Sequence, residues 1–222
     1  MSERLTIALP KGRTLGPIAD LLARAGLGPE GEGTLRDAVL GESRALVRRA
    51  RFGAHAVDML LLKPDDVPTY VEYGTADLGV CGRDVLVERE VDVYQPVDLG
   101  VGRCRLVVAG KTGESGVPTG RMPRVATKYP KSAAAHFARR GLQVEVVNVQ
   151  GSVELAPLTG LADLIVDIVE TGSTLAQNGL EVKEEIFGIS SLLLANRASY
   201  KLRAEAIGPL VSGLRAALAQ LT

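Results

Sequence analysis

Tryptophan is absent from the 222 residues, and aromatic side chains make up only 4% of them. Platforms that hold single-stranded nucleic acid stack bases on aromatic rings, so this scarcity speaks against one. Charge of one sign is lacking too: 26 Lys and Arg balance 26 Asp and Glu. Without a net basic field, anion binding has to come from a local cluster, and nucleic acid is not an expected partner. No apolar run approaches the roughly 18 residues that span a bilayer, and Met1-Ser2-Glu3-Arg4-Leu5 has no signal-peptide core. No membrane partner is expected, and the expected compartment is the cytoplasm. The two cysteines, Cys81 and Cys104, and the two histidines, His55 and His136, have no metal-ligand spacing. The cysteines read as free buried thiols, and no protein-built metal site is expected.

What is present is 46% hydrophobic residues, enough to core one large or two small domains. Leu5 to Leu9 reads as a strand and Leu15 to Ala25 as an amphipathic helix, followed by a polar connection from Gly26 to Gly41. Strand-like runs recur at Ala45 to Val47, Val57 to Leu62, Asp77 to Val80 and Val91 to Val97, with helices from Pro64 to Tyr73 and Asp84 to Glu90 between them. A second series begins near Gly100, with strands at Arg103 to Ala109, Arg124 to Thr127, Leu142 to Val149 and Leu164 to Val169, and a helix from Pro130 to Gly141. Val182 to Ile186 and Ser191 to Ala195 read as further strands and Tyr200 to Leu221 as a terminal helix. The alternation predicts an α/β protein with largely parallel sheets covered on both faces.

Gly74 to Val80 and Gly160 to Val166 share the pattern G-x-A-D-L-x-V. The echo predicts two similar α/β lobes with a ligand cleft between them: residues 1–97 plus 180–222 in the first, 98–179 in the second. Ligands of open α/β sheets bind at the carboxyl ends of strands.

The densest chemistry lies at Asp163 to Leu175, D-L-I-V-D-I-V-E-T-G-S-T-L. A buried strand delivers Asp167 and Glu170 to the edge of the polar loop Thr171-Gly172-Ser173-Thr174, which opens a helix. Backbone N–H groups at a helix start, together with hydroxyls, suit a phosphate, and Gly172 allows close approach. Carboxylates just before such a cradle suit a sugar diol or a magnesium ion, so the unit reads as a binder of a phosphorylated ribose. The plainer alternative is an N-cap Thr with surface acids. Lys11 and Arg13 flank Gly12 after the first strand, a phosphate site or a solvated turn. Arg44, Arg48, Arg49 and Arg51 surround the next strand; alternation puts Arg44 and Arg48 on one side, and Arg44 is the candidate retained. Lys63 ends another strand. Thr127-Lys128 places a hydroxyl and a cation at a strand-to-helix turn, and Glu154 either faces the same ligand or caps a strand or helix end.

Taken in order, L-P-K-G-R at Leu9 to Arg13, D-V-P-T-Y-V-E at Asp66 to Glu72, G-x-A-D-L-G-V at Gly74 to Val80, A-T-K-Y-P at Ala126 to Pro130, G-S-V-E-L-A-P at Gly151 to Pro157 and D-I-V-E-T-G-S-T-L resemble the ATP phosphoribosyltransferase family. The resemblance implies a two-lobed, periplasmic-binding-protein-like (type II) fold and the first step of histidine biosynthesis, in which ATP and 5-phosphoribosyl diphosphate give phosphoribosyl-ATP and diphosphate. It implies that Asp167 and Glu170 hold the ribose hydroxyls and Thr171 to Thr174 the 5-phosphate. The catalytic charge then falls to Lys11, Arg13 and Arg44, with magnesium carried by the substrate phosphates. The chain stops at Thr222, without the regulatory domain of the longer form, and so resembles the short form. That form implies a histidyl-tRNA synthetase-like regulatory subunit, a hetero-octamer, self-association as a dimer and feedback by histidine. The readings that compete are a non-catalytic two-lobed anion or solute-binding sensor, and a Rossmann-like phosphoribosyltransferase. The latter leaves the first-lobe motifs unexplained.

Overall fold

A computed structural model describes residues 4–41, 45–114, 116–118 and 120–221. In chain order the elements are β1 (Leu5–Pro10), α1 (Leu15–Arg24), β2 (Leu27–Pro29), α2 (Leu35–Leu40), β3 (Val47–Phe52), β4 (His55–Leu62), α3 (Val67–Glu72), β5 (Leu78–Gly82), α4 (Arg83–Arg89) and β6 (Tyr94–Asp98). Then come β7 (Cys104–Lys111), β8 (Arg124–Thr127), α5 (Pro130–Arg139), β9 (Glu145–Asn148), α6 (Leu155–Thr159), β10 (Leu164–Val169), α7 (Ser173–Gln177), β11 (Leu180–Ile189), β12 (Ser191–Ala195), α8 (Arg197–Leu202) and α9 (Ala204–Ala219).

The chain forms two compact units, Met1–Gly102 with Ser190–Thr222, and Arg103–Ile189. The second crossing thus falls at residues 189 and 190 rather than near 180. The cause is β11, which pairs antiparallel with β7 along its whole length and so belongs to the second sheet. The Gly26 to Gly41 connection is not structureless: it holds β2 and α2, the latter started by a reciprocal Thr34–Asp37 capping box. The terminal helix is broken at Arg203 into α8 and α9.

The first sheet runs β2-β3-β4-β1-β5-β12-β6 and the second β11-β7-β10-β8-β9. Both are mixed rather than largely parallel. β1 lies parallel to β4 and β5, while β12 runs antiparallel to β5 and β6. β8 lies parallel to β9 and β10, while β7 runs antiparallel to β10 and β11. The stretch β4-β1-β5-β12-β6 therefore repeats as β9-β8-β10-β7-β11, strand for strand. The antiparallel members β7 and β12 are the strands the chain enters on crossing between units. No helix precedes either, so neither needs the crossover that makes strands parallel.

Alternation within each strand builds a core on both faces. In the second sheet Val107, Ala109, Ala126 and Ile165 face one side with Leu175, while Leu106, Val108, Val125, Leu164 and Val166 face the other with Tyr129 and Phe137. In the first, Ile7, Leu9, Val57, Met59, Leu78 and Val80 pack with Ile18 and Leu22 of α1 and with Ile207, Leu210, Val211 and Leu214 of α9. The spacing of those helix residues is the stripe that an amphipathic helix buries.

The G-x-A-D-L-x-V echo acquires a physical meaning here. Gly74 and Gly160 have φ of +72° and +73° and end α3 and α6 in the left-handed conformation that side chains resist. Each Asp then closes the amino end of a parallel pair. The Thr6 N–H donates to Asp77 Oδ2 at 2.9 Å and the Asp77 N–H returns to the Thr6 carbonyl at 2.9 Å. The Arg124 N–H donates to Asp163 Oδ2 at 2.8 Å, and the Asp163 N–H returns to the Arg124 carbonyl at 2.9 Å. An arginine completes each latch: Arg203 at 2.8 Å for Asp77, Arg121 at 2.9 Å for Asp163.

The two latches should differ in strength. Asp77 is buried, whereas the Arg121 side chain that meets Asp163 is 55% exposed. Asp77→Ala, which removes the buried carboxylate partner of the half-buried Arg203 guanidinium, should lower unfolding stability by about 3 kcal/mol, and Asp163→Ala by about 1 kcal/mol. Urea denaturation of both variants checks this; equal losses would refute the difference.

Candidate functional site

In the second unit, three residues from separate stretches of sequence share one electrostatic neighbourhood. Asp167, near the carboxyl end of β10, is half-buried, and its Oδ1 accepts the Ile168 N–H at 2.8 Å. Burial raises its pKa above the usual carboxylate value; the Ile168 bond and the Lys128 charge pull it back, and Glu154 adds to the rise. Lys128 follows β8, exposed, with its ammonium 4.9 Å from the centre of the Tyr129 ring. Glu154 occupies the N-cap position of α6, but its side chain makes no capping bond. Capping therefore does not account for this carboxylate.

The loop that follows β10 is arranged on itself. Gly172, at φ +84°, is the N-cap residue of α7, so Thr171 is not the cap. The Thr171 and Ser173 hydroxyls lie 3.1 Å apart, and Thr171 Oγ1 also accepts the Ser173 N–H at 3.4 Å. Glu170, Thr171, Ser173 and Thr174 are exposed. The result is a rim of hydroxyls over the leading N–H groups of a helical turn, donors that suit an anion.

Thr127 ends β8, at the strand-to-helix turn where the sequence places its hydroxyl. It is fully buried; its Oγ1 donates to the Val166 carbonyl at 2.6 Å and accepts the Tyr129 N–H at 2.9 Å.

In the first unit the Lys11 N–H donates to the Leu62 carbonyl at 2.7 Å, extending the β1–β4 ladder by one residue. Lys11 and Lys63 thus leave adjacent parallel strands at the same end, both exposed, with Arg13 exposed beside them. Gly12, at φ +114°, has nothing within 4 Å of where a Cβ would stand, so the backbone is open on that side. Arg48 is spent on structure: its guanidinium donates to the Ala38 carbonyl at 2.8 Å and to the Ala45 carbonyl. Arg44 lies outside the described residues. Concavities of about 380 Å³ beside Asp163 and about 500 Å³ beside Leu5 open at the amino ends of β10 and β1, and none of the described candidate residues lines them. Among the described residues, no three His, Cys, Asp or Glu gather as metal ligands, and no helix is long and apolar enough to cross a membrane. Cys81 is buried and Cys104 partly so, neither in a disulfide.

The chain resembles known proteins over nearly its whole length. The family model for ATP phosphoribosyltransferase (HisG) matches residues 63–216. The chain is 57% identical to the ATP phosphoribosyltransferase of Sorangium cellulosum, over 99% of this chain and 98% of that one. It is 51% identical to that of Halorhodospira halophila, over 98% and 97%. Among solved structures, the ATP phosphoribosyl transferase (HisG:HisZ) complex from Thermotoga maritima matches with a TM-score of 0.81 at 34% identity, over 98% of this chain and 99% of that chain. The periplasmic aliphatic sulphonate binding protein SsuA from Escherichia coli matches with a TM-score of 0.59 at 16% identity, over 98% and 73%, which is a likeness of fold alone.

Burial of Asp167 has a consequence for stability. With a native pKa above the unfolded value, the folded state holds this proton more tightly; the associated stability is present at low pH and lost as pH rises through the native value. Asp167→Asn, which carries no charge to desolvate, should therefore melt at a higher temperature than the native chain at neutral pH, with the gap closing in acid. Melting curves at several pH values decide it; an Asn variant no more stable at neutral pH would refute the desolvation.

Proposed function

The chain belongs to the ATP phosphoribosyltransferase family, and from that premise we propose how its residues divide the family's reaction, the displacement of diphosphate from the anomeric carbon of 5-phosphoribosyl diphosphate by N1 of the adenine of ATP. The reaction opens histidine biosynthesis. The second unit takes the phosphoribosyl donor: Asp167 and Glu170 hold the ribose hydroxyls, and Thr171, Gly172, Ser173 and Thr174 surround the 5-phosphate. The observation that carries this reading is the placement of Asp167. It stands at a strand's carboxyl end beside Lys128 and Glu154, and the loop that follows is already organised by the Thr171–Ser173 contact.

Lys11, Arg13 and Arg44 of the first unit take the departing diphosphate and the phosphates of ATP, with Lys63 joining Lys11 at its strand end. As the bond from the anomeric carbon to diphosphate lengthens, negative charge grows on the leaving oxygens and positive character on the ring. Guanidinium groups suit the first because they stay charged and grip phosphate in a planar fork. A carboxylate at the ribose suits the second. Lys128 favours the ionised form of Asp167, the form that accepts from a diol. Glu154 is the further acceptor at that end. No side chain need act as a nucleophile, because the adenine is one; positioning supplies the rest.

Asp167 and Glu170 are hard oxygen donors, a set that fits magnesium bound chiefly through substrate phosphates. Carried there, the ion would neutralise charge on the diphosphate. A histidyl-tRNA synthetase-like regulatory subunit, a dimer of this chain and a hetero-octamer of both belong to the same proposal, as does a cytoplasmic setting. Support for the partner comes from the Thermotoga maritima relative, solved as a HisG:HisZ complex. Likeness to a periplasmic binding protein does not favour a sensor, since fold does not carry function.

With magnesium and pyrophosphatase, the purified chain should form phosphoribosyl-ATP only when both substrates are present, alone or with the regulatory subunit. Arg13→Ala and Arg44→Ala should each slow the single-turnover rate by on the order of a hundredfold. Thr171→Ala should chiefly raise KM for the donor. Unchanged single-turnover rates in both arginine variants would remove them from the chemistry.

A further inference from the structure

We propose that Thr127 is a positioning residue for donor binding: its buried hydroxyl sets Asp167 and Lys128 against one another. The proposal rests on the reading of the second unit as the donor site. One hydroxyl bonds the residue before Asp167, through the Val166 carbonyl at 2.6 Å, and the residue after Lys128, through the Tyr129 N–H at 2.9 Å. Backbone pairing of β8 with β10 ends at Thr127 opposite Val166, whereas β10 continues to Val169. The hydroxyl is therefore the last tie between the two strands before the chain reaches Asp167. The Thr127 carbonyl also accepts the Val149 N–H at 3.0 Å, where β9 runs out toward Glu154. Donor and acceptor capacity of the hydroxyl are both used inside the protein, so Thr127 acts through its neighbours and not on ligand.

The repeated topology supplies an internal control. Counting from the two aspartate latches, Thr6 corresponds to Arg124 and Asp77 to Asp163, so the partner of Thr127 in the first unit is Leu9. Leu9 is fully buried and serves the same corner with no hydroxyl. This fold does not require a polar side chain there. A buried hydroxyl is unfavourable unless bonded, and valine would fill nearly the same volume. What the hydroxyl adds is a fixed spacing between the strand that carries Asp167 and the turn that carries Lys128, features that the first unit lacks at the equivalent places.

The test compares the full native chain with Thr127→Val, Thr127→Ser and Phe137→Leu. The last perturbs the same unit's core at a residue 1% exposed, away from the hydroxyl. Melting temperatures are measured with and without magnesium phosphoribosyl diphosphate, and initial rates with each substrate varied. Thr127→Val should raise KM for phosphoribosyl diphosphate by on the order of tenfold, as expected for a misplaced binding group, while KM for ATP stays within about twofold. Thr127→Ser should restore the native donor KM, and Phe137→Leu should lower the melting temperature without the donor-selective change. If Thr127→Val does not fold, Thr127→Cys, which keeps a weak donor of similar size, is read in its place. A native chain stabilised by the donor, with a Thr127→Val variant that has native donor KM or loses affinity for both substrates alike, overturns this assignment alone. A native chain neither stabilised by the donor nor active overturns the functional reading beneath it, and this assignment with it.

Discussion

Each sheet is held by a parallel strand pair whose amino end is closed by a carboxylate, Asp77 for β1 and β5, Asp163 for β8 and β10. A strand's carboxyl end can carry a ligand loop only if its register is settled elsewhere, because a one-residue slip would send every side chain to the other face. The two-way bond between each aspartate and the neighbouring strand settles it at the opposite end. Lys11, Lys63, Lys128 and Asp167 all depend on that alignment.

The candidate site of the second unit combines two opposite environments. Asp167 is held where water is scarce, which works against its charge, and Lys128 offsets part of that penalty. Burial of a carboxylate is unfavourable for folding and useful for binding, since interactions with a polar ligand are stronger where solvent is excluded. The neighbouring loop takes the opposite course, with its hydroxyls and the acid Glu170 exposed. The proposed donor, with a sugar at one end and a phosphate at the other, would meet the half-buried acid and the exposed hydroxyls respectively.

Much of this was legible in the chain. The run Leu164 to Val169 followed by Glu170-Thr171-Gly172 identified a strand, its polar edge and a helix start, because burial on both faces leaves an unbroken apolar stretch and glycine marks the turn. The ordered motifs pointed to the family. The helix α2 was also readable in principle, since Thr34 and Asp37 stand at capping-box spacing. The direction of β7 and β12 was not readable. Strand propensity is the same for parallel and antiparallel neighbours, and only the crossing between units decides which end of the sheet the chain enters. For the same reason β11 could not be allotted to the second sheet from its own residues.

By itself, then, the order of residues determined which segments become strands and helices, where the polar loops fall, and the chemical type of each candidate group, since these follow from local pattern and side-chain chemistry. Tertiary structure alone decided which groups meet. It brought Lys128, Glu154 and Asp167 into one neighbourhood from positions up to 39 residues apart, placed Glu154 at a helix start without using it as a cap, and turned the Thr127 hydroxyl inward. Those outcomes depend on long-range strand pairing and on what packs above each strand end, and no local pattern encodes either.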